Sequence, residues 1–290
     1  MNIIALTGDL GSGKSTVSAI LCRNLSYGYI YTGAIQRKIA EKYGMSTTEL
    51  NKYAETHPEI DEEIDATFRS LNDASNIVAD SRLAWFFIPA SFKVFLKTNL
   101  AISAERIAGD KKRKGENYPS VEEAIQGITE RKTSENKRYR ELYGAECANM
   151  LLFDLIVDTS YITPEHAADI IMEAYAAWQA GNRAKQALIS PFNLYPTLPV
   201  SKLSFWDTDN QPVQVVHADP FDFVVDGHKR VSNALKTGKA LVPALYVSAD
   251  APYNKELSYR EKMLKSAQPE ILQEWETFHG FKFRIYPPEK

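Results

Sequence analysis

Ile3-Ile4-Ala5-Leu6-Thr7-Gly8-Asp9-Leu10-Gly11-Ser12-Gly13-Lys14-Ser15-Thr16 is the stretch whose reading decides the fold. Ile3 to Leu6 are apolar without alternation, the pattern of a strand covered on both faces in a parallel sheet. After the glycines, Ser15–Leu25 has helical periodicity through Val17, Ile20, Leu21 and Leu25. Between strand and helix, Gly8, Gly11, Ser12, Gly13, Lys14, Ser15 and Thr16 complete the pattern G-x-x-x-x-G-K-[ST]. Glycines let successive N–H groups curl toward a phosphate chain, and the helix N-terminus adds its positive dipole end. Lys14 reaches the β- and γ-phosphates, and Ser15 offers a hydroxyl to Mg²⁺. A glycine turn with an accidental lysine would not need a strand before it and a helix after it. The stretch therefore predicts a site for a nucleoside triphosphate with Mg²⁺, and Ser15 is its metal-ligating residue.

Outward from the loop, periodicity predicts helices at Ile35–Tyr43, Thr47–Ala54, Pro58–Leu71, Leu100–Ala108, Val121–Tyr143 and Pro164–Ala180. Short apolar runs at Asn76–Ala79, Phe92–Leu96 and Leu152–Val157 predict strands. Alternating strands and helices give an α/β fold, a parallel sheet with helices on both faces. Ala180-Gly181-Asn182 ends a helix, and Pro191, Pro196 and Pro199 follow within nine residues. A 290-residue chain is long enough for two domains, and the expected division is 1–180 and 181–290. The second part holds apolar runs at Val200–Phe205, Val213–His217 and Phe221–Val225. A helix at Arg230–Thr237, a strand at Val242–Val247 and a helical stretch near Tyr259–Phe278 follow.

Thirty-four basic against 37 acidic side chains leave a net charge of −3, which argues against bulk electrostatic binding of nucleic acid. No run reaches the roughly 18 apolar residues of a membrane helix, and Met1–Leu6 reads as a strand rather than a secretory leader. Cys22 and Cys147 lie far apart without Cys-x-x-Cys spacing, so reduced thiols in a cytoplasmic protein are expected. Charge is nevertheless patterned. Residues 49–65 carry seven acids and one base, while 106–140 carry ten bases and six acids. Arg106, Arg113, Arg131 and Arg138 lie in the basic window, with a Gly/Lys hinge at 109–115. Beside a phosphate loop, such a window reads as a lid that brings cations to an anion.

No Asn-Lys-x-Asp is present to select guanine. Ile77-Val78-Ala79-Asp80 is the nearest approach to an apolar strand with a terminal acid, and it runs into Ser81-Arg82-Leu83-Ala84-Trp85. An arginine directly after a strand end suits phosphate handling better than motor chemistry. Thr32-Gly33-Ala34-Ile35-Gln36-Arg37, Asp80–Trp85 and Phe92-Lys93-Val94-Phe95-Leu96-Lys97 resemble segments of the cytidylate kinase-like branch of nucleoside monophosphate kinases. Arg131, Glu135 and Arg138, on one helical face at i, i+4 and i+7, match its lid spacing.

The resemblance covers residues 1–180 and implies roles. Thr32, Gly33, Arg37 and Arg82 would hold the acceptor monophosphate. Arg131 and Arg138 would contact the transferring phosphoryl, and Glu135 would orient the second arginine, Arg138, and the nucleotide. Ser81, Gln36, Tyr31 and Lys132 depart from the family pattern, mostly around the acceptor; an acid often follows the lid arginine where Lys132 stands. Asp154 and Asp158 read as structural strand-end acids.

In the second part, Asp226-Gly227-His228-Lys229-Arg230 follows the strand-like Phe221-Asp222-Phe223-Val224-Val225. With Leu198–Leu203 and Val242–Val247 it resembles the ParB/sulfiredoxin-like fold, a smaller α+β domain whose corresponding turn contacts phosphate. Gly227 would permit close approach, Lys229, Arg230 and the helix N-terminus would form an anion site, and His228 would carry a proton. A plain Asp-Gly turn is the alternative.

The expected activity is phosphoryl transfer from ATP to a nucleoside monophosphate, CMP or dCMP first. Two alternatives stay open: a P-loop kinase for a serine-like small metabolite, and an ATP-gated regulator that uses the C-terminal part as a binding module.

Overall fold

The computed structural model describes residues 2–54, 56–109, 118–203 and 211–287. In chain order the first half runs β1 (Ile3–Gly8), α1 (Lys14–Leu25), β2 (Gly28–Tyr31), α2 (Thr32–Lys42), α3 (Thr47–Ala54), α4 (Pro58–Ser70), β3 (Ile77–Asp80), α5 (Ala84–Phe87), β4 (Phe92–Lys97) and α6 (Leu100–Gly109). The second half runs α7 (Val121–Tyr143), β5 (Leu155–Asp158), α8 (Pro164–Gln179), β6 (Gln186–Ile189), β7 (Leu194–Tyr195), β8 (Val213–Ala218), β9 (Phe221–Asp226), α9 (His228–Lys236), β10 (Val242–Val247), α10 (Tyr259–Ser266) and α11 (Pro269–His279).

The chain forms two compact units that do not follow chain order. One holds residues 1–8, 13–96 and 163–183; the other holds 9–12, 97–162 and 184–290. The expected division at 180/181 lies close to the end of the first unit's last segment, yet 97–162 cluster with the C-terminal residues.

In the first unit the strand order is β2-β3-β1-β4, all parallel. β1 is buried at every position, as its continuous apolar run requires. Val17, Ile20 and Leu21 form the buried stripe of α1, and Tyr175 of α8 packs at 5.5 Å from Phe92. The sequence reading missed β2, whose four residues Gly28-Tyr29-Ile30-Tyr31 are too few for a period.

In the second unit the order is β5-β6-β10-β8-β9-β7, with β6–β10 and β8–β9 antiparallel and the other pairs parallel. The short β6 was also missed. It extends β5 through Leu155–Gln186, Ile156–Ala187 and Val157–Leu188. Ala104 and Ile107 of α6 pack with Ala124 and Ile128 of α7, and Leu10 packs against them. Ser120 caps α7 by accepting from the Glu123 N–H, and Gly144 ends it in the left-handed region.

Two readings are corrected. The run at Val200 opens as a single 3-10 turn, Val200–Lys202, behind Pro199; residues 204–210 lie outside the described residues, as do Arg113 and most of the 109–115 hinge. The helical stretch near Tyr259–Phe278 is two helices, because Pro269 cannot continue α10 and instead starts α11.

Candidate active site

The phosphate loop begins where β1 meets Leu96. Gly8 has φ +150, and a Cβ there would stand 2.2 Å from the Leu96 carbonyl oxygen. Gly11 has φ +73, and a Cβ there would stand 2.5 Å from Ser103 Oγ and 2.9 Å from the Ser103 carbonyl oxygen. Both glycines are therefore demanded by close approach and by backbone. Gly13 caps α1 in the left-handed region, and the helix starts at Lys14. Ser12 Oγ donates to the Asp9 carbonyl at 2.8 Å, tightening the turn.

Within the first unit, predicted residues converge on the end of β1. Lys14 Nζ donates to the Gly8 carbonyl at 3.0 Å, and Arg82 donates to the same oxygen at 2.5 Å. Asp80, at the end of β3, accepts from the Tyr29 hydroxyl at 2.9 Å. Burial holds the Asp80 carboxyl above its ordinary range, while Lys14 pulls the other way. Burial, then Asp80, pushes the Tyr29 phenol up. Tyr29 stacks on Tyr31 with ring centres 4.7 Å apart, and Arg37 lies over Tyr31 and donates to its hydroxyl. Thr32 and Gly33 open α2 immediately after Tyr31. The contacts thus run from Arg37 through Tyr31 and Tyr29 to Asp80, whose carboxyl feels the charges of Lys14 and Arg82, the two donors to the Gly8 carbonyl. Tyr29 and Asp80 were not among the expected site residues. In the sequence Asp80 reads only as a strand-end acid, and Tyr29 lies on β2, a strand too short to show a period.

In the second unit, Arg131, Glu135 and Arg138 share one face of the unbroken α7. Glu135 accepts from Arg131 Nε at 2.8 Å, and Arg138 lies 5.4 Å from the centre of the Tyr139 ring. Arg106 is a loop support: it donates to the carbonyls of Gly11 (3.2 Å), Thr159 (2.8 Å) and Ser160 (3.2 Å). Lys132, the departure from the family pattern, donates to Asp9 Oδ1 at 3.1 Å and Asp219 Oδ1 at 2.7 Å. Burial alone would raise Asp9, but Lys132 and Lys97 override it and hold the carboxyl well below its ordinary range. Asp158 accepts from Ser160 N–H, Ser160 Oγ, Ser190 N–H and Asn193 Nδ2. Burial raises it against those donors, and its contacts are structural.

At the C-terminal turn, Gly227 caps α9 in the left-handed region. Arg230 folds back to donate to Asp226 Oδ2 at 2.6 Å and to the Gln211 carbonyl at 3.1 Å. Lys229 follows His228 in the first turn of α9. His228 is corrected from proton carrier to core residue. It is 5% exposed, and its Nε2 accepts from the Thr197 N–H at 3.1 Å. Burial lowers it to about 4, so it stays neutral.

Oxygen and backbone groups here suit a magnesium nucleotide. No group of three or more His, Cys, Asp or Glu placed to hold a metal occurs among the described residues. Mg²⁺ needs none, since it binds largely through phosphate oxygens and waters with one or two protein oxygens. No helix among the described residues is long and apolar enough to cross a membrane.

A cytidylate kinase of Pyrococcus abyssi is 39% identical over 173 residues, 59% of this chain and 92% of its own length. One from Sulfurisphaera tokodaii is 40% identical over 176 residues, 60% of this chain and 94% of its own. Among solved structures, a shikimate kinase from Bacteroides thetaiotaomicron aligns at 16% identity and a TM-score of 0.44, covering 59% of this chain and 97% of its own. Residues 3–161 match the cytidylate kinase-like family, and with that match over the loop, the acceptor segment and the lid helix, the chain belongs to this family.

Proposed function

We propose that the protein transfers the γ-phosphoryl group of ATP, with Mg²⁺, to CMP or dCMP. The observation that carries this is the convergence of Lys14 and Arg82 on the Gly8 carbonyl, in a chain similar to cytidylate kinases over nearly their whole length. ATP supplies the phosphoryl group, and Mg²⁺ neutralises its oxygens. The loop N–H groups and Lys14 cradle the phosphates, and Ser15 supplies a hydroxyl to the metal. Thr32, Gly33, Arg37 and Arg82 hold the acceptor. Arg131 and Arg138 neutralise charge that spreads over the transferring group, and Glu135 keeps Arg131 extended along α7. Tyr29 and Asp80 keep Lys14 and the acceptor segment in register.

The remaining residues, 181–290, are read as an added ParB/sulfiredoxin-like module on a 1–180 kinase. The strand, left-handed Gly227 and helix at 221–236 support that reading. The cytoplasm, where ATP and monophosphates are supplied, is the expected location.

The test is product formation by the full chain with Mg-ATP against the common nucleoside monophosphates, serine and related metabolites. CDP or dCDP should form fastest, and Lys14→Met should lower kcat about 10²- to 10³-fold, as loss of one preorganised charge donor does. No diphosphate from any monophosphate would sink the reading, and phosphorylation of serine alone would move the acceptor to a small metabolite.

A further inference from the structure

The first half of α7 is docked by apolar contacts. Ala124 and Ile128 pack with Ala104 and Ile107 of α6, and Leu10 of the phosphate loop packs against them. No buried side chain follows Ile128 along α7. The half that carries Arg131, Glu135 and Arg138 therefore has no core contact to fix its place, and polar contacts must do so. Lys132 comes four residues after Ile128 and continues the docked stripe by one turn. It donates to Asp9 Oδ1 at 3.1 Å. Asp9 Oδ2 in turn accepts from the Thr98 N–H at 3.1 Å, just beyond β4.

The shorter bond of Lys132 goes to Asp219 Oδ1, at 2.7 Å. Asp219 stands in the two-residue turn between β8 and β9, outside the stretch matched by the family. The same hairpin is moored at the end of β4, where Lys97 Nζ pairs with Asp222 Oδ2 at 3.1 Å. Tyr246 donates to that oxygen at 3.0 Å. The hairpin thus grips Lys97, the neighbour of Thr98, and Lys132, on α7; both lysines border Asp9. Burial alone would raise the Asp219 carboxyl, but Lys132 and then His217 hold it below its ordinary range. A lysine is a point charge on a flexible stem. One carboxylate leaves it free to swing, and a second fixes it.

We propose that Asp219 is a positioning residue for phosphoryl transfer, acting through Lys132 to hold α7 on the phosphate-loop residue Asp9. Successive helical residues are about 100° apart, so a fixed Lys132 also fixes the direction of the Arg131–Glu135–Arg138 face. The inference rests on the kinase reading and adds a residue from beyond the family match.

Hydrogen exchange along α7 and steady-state kinetics of the full chain test it. Asp219→Asn removes the charge but keeps an accepting oxygen, so the melting temperature should fall by no more than about 4 °C. Exchange at amides 129–136 should quicken roughly 3- to 10-fold, with that of β1 unchanged. The kcat with Mg-ATP and CMP should fall by a similar factor, roughly 3- to 10-fold. Asp219→Glu, which restores the charge, should recover most of both. In a Lys132→Met background, Asp219→Asn should change kcat less than about twofold, because the residue it acts through is gone. Should Lys132→Met fail to fold, the contrast between Asp219→Asn and Asp219→Glu decides. Unchanged exchange in α7, unchanged kcat in Asp219→Asn, no recovery in Asp219→Glu, or an equal loss in the Lys132→Met background each overturns the proposal. A wild-type chain that forms no diphosphate sinks the kinase reading instead, and exchange alone then decides whether Asp219 places α7.

Discussion

A methyl group on Gly8 would collide with backbone, the Leu96 carbonyl at 2.2 Å, and no rotamer change relieves that contact. At Gly13 nothing lies within 4 Å, and only the left-handed φ of +83 opposes a side chain. Gly8→Ala should therefore lower unfolding free energy by about 3 kcal/mol or more, and Gly13→Ala by about 1–2 kcal/mol. Urea denaturation of the two variants checks the order; equal losses would show that backbone conformation, not space, sets the glycine at position 8. Such positions were legible in the sequence because their constraint is local and falls at fixed spacing. Lys132 was legible only as a departure from the family pattern. Asp219 comes 87 residues after Lys132, so no local period could pair them.

At the scale of elements, α9 is pinned by its own first residue. His228 Nε2 accepts from the Thr197 N–H, and the Thr197 hydroxyl beside it donates its proton to the Val224 carbonyl. The turn could be read from Asp226-Gly227, but the burial of His228 could not, because that depends on Thr197, 31 residues earlier. Burial lowers His228 from 6.5 to about 4. The unfolded chain therefore binds the extra proton first as pH falls. This part of the stability is complete above pH 6.5 and lost progressively down to about pH 4. Between pH 6.5 and 5 the loss should be about 1.6 kcal/mol. Denaturant midpoints at those two pH values measure it. His228→Gln, which keeps an acceptor for Thr197 without titrating, should flatten the dependence; an unchanged slope would assign it to other groups.

For the whole molecule, the alternation of strands and helices was readable, but the grouping of segments was not. Proline-rich composition marks 181–199 as a break in the chain, whereas clustering depends on strand neighbours such as β5 and β6. Family-matched residues are joined to C-terminal ones by buried bonds: Asp158 to Ser190 and Asn193, Asn99 to Asn193, Lys97 to Asp222. Truncation after Asn182 strips all of these partners and bares the edge of β5. Hydrogen exchange at amides 155–158, slow in the full chain, should become fast in the fragment. Retained protection would show that the C-terminal segment supports nothing upstream.

The lysine held between Asp9 and Asp219 carries a further consequence, for inheritance. One acid belongs to the phosphate loop and the other to residues beyond the family match, so the two stretches cannot vary independently at these sites. A descendant that shed the C-terminal segment would leave Lys132 one counterion short. A descendant that kept the segment would be under pressure to keep both ends of the pair.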